Sequence, residues 1–111
     1  MPRVNTIRLT ITTGTPGTTA EVRIKFNGHT LPLTRNAGGT APGQTYEGSF
    51  DVGSFCHSCA LLGPEQGEWR VTRVLARFEG SEPRSTELTD RLLRAGSEEN
   101  IWDPPPTAMD V

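Results

Sequence analysis

Hydrophobic and polar residues alternate along much of the chain up to Gly80. Over residues 6–13, Ile7, Leu9 and Ile11 share one parity, and Arg8, Thr10 and Thr12 share the other. That is the period of a half-buried strand. The GTPG stretch at 14–17 supplies turn chemistry. Over 19–27 the pattern returns, with Ala20, Val22, Ile24 and Phe26 alternating with Glu21, Arg23 and Lys25. Asn27-Gly28 is a strong hairpin pair, and Leu31 and Leu33 give a third short strand that Pro32 confines to a sheet edge. Residues 35–44 read as a polar loop, the segment expected to move most. Tyr46, Phe50 and Val52 then alternate with Glu47, Ser49 and Asp51, and 54–62 (SFCHSCALL) is apolar on both faces, as in a central strand. From Glu68 to Glu79 the phase slips: Trp69 and Val71 share one parity, Val74, Ala76 and Phe78 the other. A β-bulge near Thr72-Arg73 restores one buried face; the alternative is a strand buried on both sides in its middle.

Beyond Gly80 the pattern changes to a helical spacing. Ser85 or Thr86 can cap a helix, Glu87 suits its first turn, and Arg91 and Arg94 suit its last. Leu88, Leu92 and Ala95 lie on one stripe with Leu93 beside it, and Gly96 is a stop signal. A helix of about ten residues is too short to stand alone, so it must dock on the sheets or on another chain. An acidic tail with a proline run follows. The expected organisation is a β domain over 1–80 and, over 81–111, a helix with an extended tail docked on that domain or on a partner.

Composition supports the strand reading. The chain has 111 residues, 33% of them hydrophobic, with 12 glycines and 9 prolines. This fits one domain with a thin core and many turns. The formal net charge of −2 argues against nucleic-acid binding, which draws on a basic excess. No apolar run reaches the length of a signal-peptide core or a membrane helix, so a cytoplasmic location is expected.

Candidate chemistry is sparse. Cys56-His57-Ser58-Cys59 has C-x-x-C spacing, but the only other metal-type nitrogen ligand is His29, and no second C-x-x-C exists. In a strand, residues three apart point to opposite faces about 10 Å apart, beyond disulfide reach. Two reduced, buried thiols are therefore expected, the alternatives being a metal-binding pair and a disulfide at a distorted turn. His57 with Ser54, Ser58 and Asp51 lacks a nucleophile elbow and an oxyanion hole, so no triad is expected. Glu98, Glu99 and Asp103 lack calcium-loop spacing. The sequence predicts no catalytic residue, no metal site and no cofactor. The tail is different. Ile101 and Trp102, followed by Pro104, Pro105 and Pro106, pair an aromatic anchor with pre-extended backbone, which suits a partner-binding segment. Folding back onto the chain's own sheet is the competing reading for Trp102.

Residues 6–79 resemble the PLAT (LH2) family. The similarity lies in Thr13-Gly14 to Thr19-Ala20 leading into Val22, Ile24, Phe26 and Gly28; in Tyr46-Glu47-Gly48-Ser49-Phe50-Asp51-Val52; and in Leu61-Leu62, the Gly63–Gly67 turn, Trp69, Val71 and Val74. Thr19 replaces the family's acidic residue in the first turn, and the C-terminal segment lies outside the pattern. The resemblance implies an antiparallel β-sandwich and a non-enzymatic interaction module that docks a protein or membrane surface through loops at one end. Those loops carry almost no large apolar side chains, which favours a protein partner. The alternatives are a structural or accessory subunit of a larger assembly, whether homo-oligomeric or with other chains, and a carbohydrate- or lipid-binding sandwich.

Overall fold

The computed structural model describes residues 3–32 and 35–103, with strands and no helix among them. Among the described residues nine strands form two antiparallel sheets. In chain order they are β1 (Arg3–Thr13), β2 (Arg23–Phe26), β3 (His29–Pro32), β4 (Arg35–Gly38), β5 (Thr45–Phe55), β6 (Cys59–Leu62), β7 (Glu68–Gly80), β8 (Arg84–Arg94) and β9 (Glu98–Asn100). The larger sheet has the order β4-β5-β1-β7-β8, the smaller β3-β2-β6-β9.

β1 is the centre of the larger sheet because its alternation is the cleanest. Ile7, Leu9 and Ile11 are buried, while Arg8 faces solvent. On either side Ile7 pairs with Phe50 and Phe78, so cross-strand apolar neighbours stack inward. Asn27 and Gly28 both have positive φ, 49° and 87°, and turn β2 into β3. Pro32 ends β3, which is an edge strand as its missing N–H requires. Ile24, Phe26, Cys59 and Leu61 of the smaller sheet join one hydrophobic cluster with the inward residues of the larger one. Each large side chain so buried contributes about 1.5–3 kcal/mol against its ordering cost.

The expected bulge in β7 is present. Thr12 pairs with Arg73 but Thr13 with Val71, which leaves Thr72 as the extra residue. Trp69 and Val71 on one parity, and Val74, Ala76 and Phe78 on the other, are all buried as a result.

The helix expected over 85–95 is absent; the segment is β8, paired along β7 from Phe78↔Arg84 to Glu68↔Arg94. The physical reason is the same phase slip. Asp90, which the register sets across from Thr72, has φ 49°. The strand therefore changes parity there, and its two buried leucines, Leu88 and Leu93, fall five apart. A bulged strand with that spacing imitates a helical stripe. β9 then adds to β6, with Leu61↔Glu99. Residues 84–100 thus supply a strand to each sheet, so the expected division at position 80 falls inside the larger sheet's framework.

Two smaller corrections concern loops. The polar stretch after residue 34 contains β4, paired to β5 through Asn36↔Gly48 and Ala37↔Glu47. The segment 54–62 is not one strand, because β5 ends at Phe55 and the chain crosses to the other sheet before β6 begins.

Candidate functional site: the groove at the β5–β6 corner

The corner starts from a defect in β5. Val4 pairs with Ser54 but Thr6 with Asp51, so Val52 and Gly53 together oppose Asn5. Gly53 takes φ 54°, which a glycine adopts without the cost a side chain would incur. Beyond this bulge Phe55 points out and Cys56 drops into the core.

Asn27 holds the corner in place. Its side-chain amide donates to the Phe55 carbonyl at 2.7 Å. Its Oδ1 accepts from the backbone N–H groups of His57 (2.9 Å) and Ser58 (3.1 Å). Its own N–H donates to the Ser58 carbonyl at 2.9 Å. The hairpin pair read from the sequence is thus also a clamp between the two sheets. We expect Asn27→Ala to cost about 2 kcal/mol, from three lost side-chain bonds and a left-handed backbone that alanine resists. Asn27→Gly separates the two terms, since glycine keeps the φ and loses the bonds; chemical denaturation of both variants measures the difference.

The clamp places residues from three strands and the corner around one open groove of about 500 Å³. Phe26, Leu31 and Val52 give it apolar walls; His29, His57, Asp51 and Ser54 give it polar ones. Both histidines of the chain line it. Asp51 accepts from the Thr6 hydroxyl at 3.3 Å. Phe55, at 53%, is the one exposed large hydrophobic side chain among the described residues. The Arg3 guanidinium lies 6.0 Å from its ring centroid.

Of the residues weighed as a triad, the structure therefore brings Asp51, Ser54 and His57 to one groove, and Ser58 is not part of its lining. The side-chain hydrogen bonds of the described residues do not join them: Asp51 is engaged by Thr6, and the His57 bond to Asn27 is through its backbone. No group of three His, Cys, Asp or Glu side chains suited to a metal ion occurs among the described residues.

The cysteine geometry differs from the strand-based expectation. Cys56 ends β5's path and Cys59 starts β6, with the chain turning between them, and both are buried free thiols in the shared core. Burial pushes Cys56 up to about 11 and Cys59 up to about 12; the nearby Cys56 sulfur adds to the second shift. Thiolate nucleophiles are thus suppressed at neutral pH.

The tail residues expected to anchor a partner are placed in the chain's own core. Ile101 is 0% exposed and its N–H donates to the Cys59 carbonyl at 3.0 Å. Trp102 is 6% exposed and meets the Phe78 ring edge-on at 4.9 Å between centroids. The Arg84 guanidinium stands 4.2 Å over its ring. A terminal tryptophan costs too much in water when an apolar seat lies within reach. Pro104, Pro105 and Pro106 lie outside the described residues. Phe55 was not singled out by sequence reasoning, because it sits in an apolar run. The available signal was the Gly53 before it and the polar His57-Ser58 insert after it.

No family model, curated protein or solved structure matches this chain. No helix among the described residues is long and apolar enough to cross a membrane.

Proposed function

We propose that this chain is a non-catalytic protein-interaction module, a β-sandwich of PLAT-like type, that receives an extended partner segment in the corner groove. The observation that carries this reading is Phe55. An aromatic ring held 53% exposed is a cost to the free protein, and such rings mark contact sites. The groove, lined by Ser54 and His57 on either side of Phe55 in the sequence, combines apolar walls with a few polar groups, which suits one apolar anchor side chain and its flanking peptide backbone. The resemblance of residues 6–79 to a docking family, and docking at one end of two packed sheets, point the same way. The assembly alternative has less support, since its two aromatic and aliphatic tail anchors are occupied within the chain.

A displayed library of random linear peptides tests the proposal. Selection on the wild-type chain is expected to enrich sequences with a recurrent apolar anchor. Their affinity should fall about tenfold or more in Phe55→Asp, the scale of an interface hot spot, while its thermal midpoint stays within ~2 °C for an exposed site. Equal binding by Phe55→Asp, or no enrichment, sinks the proposal.

A further inference from the structure

The corner that forms the groove also holds two thiols that the proposed binding does not use. The two cysteines do not share one straight strand, because the chain bends between them at His57. The Cys56 sulfur lies 3.7 Å from the Ser58 carbonyl oxygen, donating its weak S–H there. That carbonyl belongs to the peptide bond leading into Cys59. The first sulfur is therefore within one peptide unit of the second cysteine, and both side chains point into one core cluster. The backbone bends at His57, and a bend brings residues three apart closer than a straight strand does, toward disulfide reach.

We infer that Cys56 and Cys59 are a closable dithiol, and that a small-molecule disulfide converts them to an intramolecular disulfide spanning the corner between the two sheets. The exchange balances in two steps. One cysteine thiolate attacks a sulfur of the small disulfide, forming a mixed disulfide and expelling one thiolate. The other cysteine then attacks the protein sulfur of that mixed disulfide and expels the second thiolate. The two protons released by the cysteines end on the two small thiols. The protein is oxidised by two electrons and the small disulfide reduced by two.

Access controls the rate. Both thiols are buried, and the corner is pinned by the Asn27 bonds and by the Ile101 N–H on the Cys59 carbonyl. Exchange thus follows local opening of the corner. Closing the loop ties the end of β5 to the start of β6 and fixes the edge on which His57 and Phe55 stand.

The test uses the full reduced chain with oxidised glutathione. Samples are quenched in acid, alkylated under denaturing conditions and weighed intact. The expected product is a monomer lighter by two hydrogens with no alkylatable thiol. Asn27→Gly, which loosens the corner, should form it about tenfold faster. Cys59→Ala should stop at a stable glutathione adduct on Cys56. Wild-type chains that accumulate glutathione adducts without closing, that link into dimers, or that keep both thiols free even in Asn27→Gly would overturn the inference.

Discussion

Trp69→Ala is expected to destabilise the chain by about 4 kcal/mol, at the upper end for a large-to-small change in a core. Trp69 is the largest of the fully buried side chains. It sits on β7 opposite Leu93 of β8, just before the bulge, so its ring fills space that two strands have shaped. Its indole N–H donates to the buried Thr13 hydroxyl at 3.1 Å. Truncation therefore removes apolar contact, leaves a cavity and strips a buried hydroxyl of a partner. Trp69→Phe isolates the last effect: most volume remains, and we expect about 2 kcal/mol, part of it recovered by adding Thr13→Val. For a chain of this size each kcal/mol lowers the thermal midpoint by about 4–6 °C. Urea denaturation at an unchanged slope reads the same differences.

Trp102→Ala is expected to cost about 3 kcal/mol, although the residue is nine positions from the end of the chain. The ring is stacked edge-on against Phe78 and covered by Arg84, so the loss combines buried area, an aromatic pair and a cation over the ring face. It also joins the two sheets. The Thr86 hydroxyl donates to the Ile101 carbonyl, and Arg91 on β8 pairs with Glu99 on β9 at 3.6 Å. That partly exposed ion pair contributes about 1 kcal/mol or less, so the ring and Ile101 dominate. Deleting 98–111 removes β9 and both anchors and should destabilise more than Trp102→Ala. A Trp102→Ala chain as stable as wild type would place the ring outside the core.

Much of the architecture was legible because period two survives wherever one strand face is buried. β1, the Asn27-Gly28 turn and the edge position of Pro32 follow directly from local chemistry. The β7 bulge was legible too, since Val71 and Val74 cannot share a face without it. The same bulge made β8 illegible. Its echo at Asp90 sets Leu88 and Leu93 five apart, and only pairing to β7 reveals a strand in that spacing. Tertiary pairing there overrides a local preference that reads as helix. The groove was the least legible part. His29 and His57 are 28 positions apart in the sequence, and they line one groove because Asn27 ties a hairpin to a corner. No local pattern encodes which loop a side-chain amide will grip. The run around Phe55 read as core because a strand crossing between sheets looks the same, by hydropathy, as a strand within one.

We propose the corner groove as the surface that meets a partner. Titrating an enriched peptide into isotope-labelled protein, and following each backbone amide by NMR, tests it most directly. Amides of Asn27, His29, Val52, Phe55 and His57 should shift together, with one dissociation constant, while those of Arg8, Glu47 and Arg77 on the outer face of the larger sheet stay still. Shifts confined to that outer face, with the corner unmoved, would contradict it.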